Sequence, residues 1–297
     1  MLTINIIGCG NVGKTLAKIW YESHTLRIGN IINNSLESGL LAVDFIGSGT
    51  AISDYKQMNE ADIFLISTSD NQISHCANIL SEARITRPTD IVFHCSGSLT
   101  SDVLLPMKKN NAYIASIHPV QSFANPAILT TSFNGTYCSA EGDTEAVKIL
   151  TEAFVNIGAQ MIPINPSAKM IYHAATVIAC NYVTTLLDVS QKCYERSGIP
   201  RDVSLDLIKP ILLSTINNIF SFGTAKALTG PIARGDDTII QKQLLALNEF
   251  DEDIATLYAV LGQYALSLSA EQGNASPEAL RRISYMLDMY HRPRQSR

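Results

Sequence analysis

The feature that most limits what this chain can fold into lies at its start. A short apolar run over residues 2–7 ends in Gly8-Cys9-Gly10-Asn11-Val12-Gly13, and Val12, Leu16, Ile19 and Trp20 then recur at helical spacing over 11–21. A strand that turns through three such glycines into a helix has a physical logic. The first glycine allows the tight turn, the second lets a ligand approach the backbone, and the third lets the helix pack close on the strand. The helix N-terminus then offers unpaired N–H groups and the positive end of its dipole to an anion. In this context the pattern points to the pyrophosphate of a dinucleotide, with Gly8, Gly10, Asn11, Val12 and Gly13 as binding residues. Ala17 continues a small-residue face on the same helix.

Further strands are predicted over 28–33, 62–67 (DIFLIS), 90–94 (DIVFH), 112–117 (AYIASI), 135–140 and 160–164, with a helix over 143–157. Short apolar strands separated by helices indicate a parallel sheet covered on both faces. After Ile164-Asn165-Pro166 the pattern changes to helix alone, over 167–190, 202–221, 237–249, 251–272 and 276–290. The expected fold class is an α/β doubly wound sheet over 1–165 followed by an all-α domain over 166–297.

Composition narrows the classes. Hydrophobic residues make up 46% and charged residues only 16% of the 297, which excludes disorder for most of the length. The net charge of −5 falls wholly on residues 1–165, and no basic stripe supports nucleic-acid binding. Phosphate binding must then rest on local dipoles and N–H groups. The six cysteines are scattered and read as free thiols of a reducing compartment. His75-Cys76 and His94-Cys95 lack the further ligands a zinc site needs, so no metal is expected. The N-terminus has no charged leader segment, and a cytoplasmic location is expected. Residues 170–187 carry no formal charge over 18 positions, the length of a membrane span, but include His173, Thr176, Asn181, Thr184 and Thr185. The expectation is a central helix of a soluble protein, covered by the other helices and by a second subunit in a homodimer.

The second strand bears on cofactor choice. It ends Asn33-Asn34-Ser35, with no carboxylate before Glu37. An Asp or Glu there would bind the ribose hydroxyl of NAD, whereas Asn34 and Ser35 can donate to the 2′-phosphate of NADP. NADP(H) is the expected cofactor, and Ser67 and Thr68, at the end of the 62–67 strand, join the cofactor set.

The segments GCGNVGKTLA (8–17), STSDNQI (67–73), HCSGSLTSDVL (94–104), SIHPVQSFA (116–124), KMIYHAA (169–175) and LTGPIARGD (228–236) together carry a resemblance. The chain resembles Rossmann-like proteins with a C-terminal DUF2520 domain, relatives of pyrroline-5-carboxylate reductase, ketopantoate reductase and 6-phosphogluconate dehydrogenase. The resemblance implies an NADP-dependent oxidoreductase that reduces a small keto acid, with ketopantoate, in pantothenate synthesis, as the leading substrate. The alternatives are an imine reductase like pyrroline-5-carboxylate reductase and a non-catalytic NADP-binding regulator. In the related dehydrogenases a Lys and an Asn four apart hold the reacting oxygen. Lys169 matches the Lys, while His173 stands where Asn is usual.

Lys169 and His173 share one helix face, so either is a candidate proton donor. His118, whose type titrates near working pH, is the third. Ser96 and Gly97 follow a strand end, where ligands of open parallel sheets bind. Asn181, rotated by roughly 80° from His173, is a substrate candidate. Arg234 is another, for a carboxylate, and Asp236 is the expected N-cap of the helix after it.

Overall fold

Eight strands form one sheet in the computed structural model, which describes residues 1–291. They are β1 (Thr3–Ile7), β2 (Arg27–Ile32), β3 (Thr50–Ile52), β4 (Ile63–Ile66), β5 (Ile91–His94), β6 (Tyr113–Pro119), β7 (Tyr137–Gly142) and β8 (Gln160–Pro163). Their order is β3-β2-β1-β4-β5-β6-β7-β8. All neighbours pair parallel except β6 and β7, and β8 again follows β7. The connections include α1 (Asn11–Glu22), α2 (Leu36–Ile46), α3 (Asp70–Ala83), a 3₁₀ segment Ser101–Asn110, α4 (Pro126–Ser132) and α5 (Thr144–Val155). The Rossmann-type α/β expectation is met. The three-residue edge strand β3 escaped the sequence reading because TAI is too short to show alternation.

Both faces of the sheet are covered, which is why β4 and β5 are buried along their whole length. On one face Leu16, Trp20, Phe93 and Phe154 belong to one cluster. Trp20 stands edge-on to Phe154 at 5.3 Å and donates its indole N–H to the Ala153 carbonyl, so a large apolar ring is buried with its polar atom satisfied. The second cluster gathers Phe64, Ile66, Leu80, Leu104 and Met107.

After β8, Pro166 opens one continuous helical stretch: a 3₁₀ turn, α6 (Lys169–Thr176), a π turn (Val177–Asn181) and α7 (Tyr182–Arg196). The chain divides into two compact units inside this stretch, after Asn181. The composition changes at Pro166. The composition change marks the end of the sheet, ahead of the boundary between the two units.

The second unit is helical, as expected: α7, α8 (Arg201–Phe222), α9 (Thr224–Ala227), α10 (Pro231–Arg234), α11 (Asp237–Phe250), α12 (Glu252–Gln272) and α13 (Pro277–His291). Asp236 caps α11 by accepting from the Ile239 N–H at 3.2 Å. Ile240, Leu244, Ala259, Ile283 and Leu287 form its core between α11, α12 and α13. The basic tail 292–297, expected to fray, lies outside the described residues.

One expectation is corrected. No residue of the uncharged 170–187 segment is fully buried within the chain. The most apolar window of the helix Pro166–Arg196 is 0% buried and that of α8 only 6%. Both helices are long and apolar enough, by length and composition, to cross a membrane. α7 meets α8 through polar bonds, Gln191 to Ser204 and Arg201 to Glu195, and these leave the apolar side chains outside.

Candidate active site

The carboxyl ends of β1, β2 and β4 open into a cavity of about 560 Å³. Gly8, Gly10, Asn34, Ser67 and Thr68 line it, as the sequence suggested. Gly8 sits at φ +77°, and a Cβ there would lie 2.2 Å from the Thr68 methyl, so both its conformation and its closeness to β4 require glycine. Gly13 does not face the cavity. A Cβ at Gly13 would strike the Ser67 hydroxyl at 2.4 Å, the close helix–strand approach expected of the third glycine.

Three expected cofactor contacts have other employment. Asn11 donates to the Phe123 carbonyl, Val12 packs on the core, and Ser35 caps α2 by accepting from the Ser38 N–H. None of the three lines the cavity. Ser35 and Ser38 are three apart at a helix start, a capping spacing that the sequence displays. Asn33 was not singled out. Its Oδ1 accepts from the Cys9 N–H at 2.6 Å and its Nδ2 donates to the Ser38 carbonyl, so it ties the glycine turn to α2.

The cavity suits a dinucleotide by its own chemistry. Gly10 is the N-cap of α1, no side chain caps that helix, and a Cβ at Gly10 would meet no atom within 4 Å. The helix N-terminus therefore faces open space, where its N–H groups can take an anion. Among the described residues lining the cavity there is no Asp, Glu, Lys or Arg. Lys14 and Lys18 of α1 lie over the Phe45 ring instead, at 5.6 and 5.1 Å. Asn34, Ser38 and Ser53 supply neutral hydrogen-bonding groups on the β2 side, and Gln72 and His75 of α3 on the other.

Beside this cavity three strands carry one row of polar side chains. His94 of β5 pairs in register with Ser116 of β6, and Ser116 with Glu141 of β7. Residues in register point to the same face, so the row is continuous. Lys169, in the first turn of α6, lies over it. Its Nζ donates to Ser116 Oγ and to Glu141 Oε1, the latter at 3.0 Å. Glu141 also accepts from the Ser101 N–H and hydroxyl at 2.8 and 2.7 Å. The side chains of Lys169 and Glu141 are 1% and 3% exposed.

Lys169, expected to face a reacting oxygen, is thus sealed in an ion pair. Burial pushes it below the usual lysine range even with Glu141 beside it. His94 is held by Thr100 O and the Ser96 N–H. Burial, helped by the Lys169 charge, pushes it down to about 4.

The loop after β5 forms the floor next to this row. Asp70, at the start of α3, accepts from the Ser96 and Ser98 hydroxyls at 2.8 and 2.7 Å. Gly97 lies directly under two imidazoles. A Cβ there would be 2.4 Å from His173 Nδ1 and 2.8 Å from His118 Nε2. His118 and His173 stand edge to face at 5.7 Å, and His118 Nδ1 shares a 3.0 Å hydrogen bond with the Tyr172 hydroxyl.

Burial, then His173 and Lys169, push His118 down to about 4. A value this far below the ordinary histidine range leaves the ring neutral near neutral pH, so a proton from His118 would have to come from the neutral imidazole. His173 Nδ1 is buried and without a hydrogen bond among the described residues. Ser96, Gly97, His118 and His173 are brought together as expected. Asn181 is exposed at the end of the π turn, and Arg234 is exposed at the end of α10 in the second unit. Tyr172 was missed, although it sits inside KMIYHAA, because an aromatic at helical spacing reads as packing.

Comparison with known proteins fits this architecture. The Rossmann-like domain family matches residues 1–119, and the domain of unknown function DUF2520 matches 136–265. A candidate NADP oxidoreductase from Bacteroides fragilis is 20% identical, with 90% of this chain and 98% of that one superposed at a TM-score of 0.72. A Thermotoga maritima protein is 23% identical, covering 91% and 99% at 0.71. The pyrroline-5-carboxylate reductase of Streptococcus pyogenes is 13% identical, covering 98% of each chain at 0.58. A comparison with curated proteins found no match.

Proposed function

We propose, for a chain that belongs with the Rossmann-like proteins carrying a DUF2520 domain, that it is an NADP(H)-dependent reductase of a small C=O or C=N compound. The observation that carries this reading is the adjacency of two things at the carboxyl edge of one sheet. One is the cavity at the uncapped N-terminus of α1; the other is the Gly97 floor under His118, Tyr172 and His173. The reduced nicotinamide, when bound, supplies the hydride. The N–H groups of α1 would hold the pyrophosphate. Asn34, Ser38 and Ser53 would donate to the ribose and its 2′-phosphate.

The substrate is a keto acid such as ketopantoate, or a cyclic imine. The imine is favoured by the fold shared with pyrroline-5-carboxylate reductases and with an imine reductase from Myxococcus stipitatus. The test is consumption of NADPH and NADH with ketopantoate and with pyrroline-5-carboxylate. NADPH is expected to be preferred. Asn34→Asp should move the preference towards NADH by on the order of tenfold or more, because a carboxylate repels the 2′-phosphate and accepts from a 2′-hydroxyl. An unchanged ratio removes Asn34 from the ribose site. Tight NADPH binding with no turnover on either substrate would instead support the regulator.

A second copy of the chain is proposed to cover the bare helices. Phe220, Ile211 and Phe222 of α8 are 86%, 64% and 62% exposed, an apolar surface that marks an interaction site. Lys209 lies near the middle of α8, where a bilayer penalises a charge, and Ser214, Asn217 and Asn218 follow in its second half. Light scattering should give twice the 32.4 kDa chain mass. A detergent-free monomer at micromolar concentration rules the dimer out.

A further inference from the structure

We infer that Tyr172 is the proton donor of the reaction and that His118 relays its replacement, so that the acid is a phenol and not Lys169, His173 or an imidazolium. This rests on the reductase reading and names the group that completes it. Two of the four candidates, Lys169 and His118, are set aside by their surroundings, and His173 has no hydrogen-bond partner in reach to resupply a proton through Nδ1 among the described residues. Lys169 has its Nζ committed to Ser116 and Glu141 with 1% of the side chain exposed. His118 is neutral. His173 turns a buried, unpartnered Nδ1 towards Gly97.

Tyr172 differs from all three. It is half-buried, and its hydroxyl has His118 Nδ1 at 3.0 Å. Burial raises it above the ordinary phenol value, so it keeps its proton near neutral pH. One turn of α6 sets its place, because Lys169 anchors that turn on β6 and β7.

The proton account balances without an imidazolium. Reduction by the nicotinamide dinucleotide leaves the substrate oxygen or nitrogen with an electron pair. The Tyr172 O–H bond breaks, and its proton forms the new O–H or N–H bond. The phenolate takes the Nδ1 proton of His118, while Nε2, on the Gly97 side of the ring, takes a proton from water. His118 begins neutral with its proton on Nδ1 and ends neutral with it on Nε2, water is the net proton source and is left as hydroxide, and proton exchange with solvent returns the ring to the Nδ1 tautomer before the next turnover. The role requires the tautomer with the proton on Nδ1 at the start of each cycle.

Nitrogen NMR of the histidine side chains, in the free protein and with NADP+, tests this directly. His118 should carry one proton, on Nδ1, near neutral pH, and Tyr172→Phe should shift that resonance. Two protons on His118, or a resonance indifferent to Tyr172→Phe, overturns the relay. In turnover, Tyr172→Phe should lower kcat by about 10²–10³-fold with NADPH affinity unchanged. His118→Asn should lower it less. A Tyr172→Phe rate close to wild type also overturns the proposal. If the wild type reduces neither substrate, the reductase reading fails, and the nitrogen spectra still decide the pair.

Discussion

Lys169→Ala is expected to lose about 3–5 kcal/mol of stability, because it strands a buried carboxylate. Glu141 would keep the Ser101 N–H and hydroxyl as donors but lose its ion-pair partner. Replacing both charges, with Lys169→Met and Glu141→Gln, should restore most of the loss. A buried pair contributes little net stability once its desolvation is counted, and the Gln oxygen can still accept from Ser101. Denaturant melts of the wild type, the single variant and the double variant measure this. The outcome that defeats it is a Lys169→Ala protein that melts like wild type yet has lost turnover. The lysine would then be a reacting group, and its sealed position would not describe the working enzyme.

The second large effect separates two glycines that the sequence presents as similar. Gly97→Ala places a methyl where two imidazole rings already lie, 2.4 and 2.8 Å from their atoms. Over-packing of this kind costs about 1–3 kcal/mol. Moving His118 and His173 by even an ångström should lower kcat by about 10²-fold. Gly10→Ala meets no protein atom and has an extended backbone that alanine accepts. Its melting should match wild type, while its methyl projects into the space beside the N-terminus of α1 and weakens NADPH binding. Isothermal titration with NADPH, alongside melting curves, reads both variants. Equal binding by Gly10→Ala and wild type places the pyrophosphate elsewhere.

Local pattern made the nucleotide half legible. A strand, three glycines and a helix are contiguous and readable as one motif, although the atoms that forbid a side chain at Gly8 and Gly13 belong to Thr68 and Ser67. The polar row His94–Ser116–Glu141 was not legible, because it is a product of register. Each member is one polar residue at the end or in the middle of an apolar strand, and only pairing across three strands makes them neighbours. Lys169 was found by motif, yet its role could not be inferred without Glu141, 28 residues earlier. Tyr172 was hidden by its own chemistry, since a ring that packs and a hydroxyl that donates look alike in a sequence. The bare helices illustrate the opposite case. Their lack of charge was plain, but composition does not say whether the cover comes from the same chain.

The single antiparallel pairing in the sheet also settles the direction from which the chain reaches the site. β1, β4, β5 and β6 all finish at the edge where the cavity opens. Because β7 runs against β6 and β8 follows β7, the polypeptide runs away from that edge as it leaves the sheet, and β8 ends at Pro163, level with Ile117 of β6 and one residue from the level where β5 ends at His94. α6 therefore starts close to the site, and meets Ser116 with Lys169 and then His118 with Tyr172, about 4.5 Å further along its axis for three residues of helix. The helix has a fixed foot and a working tip. Adding or deleting one residue of helix between Lys169 and Tyr172 would turn the tip by about 100° about the helix axis relative to the foot. The length of that short link is as much a part of the chemistry as the side chains it delivers.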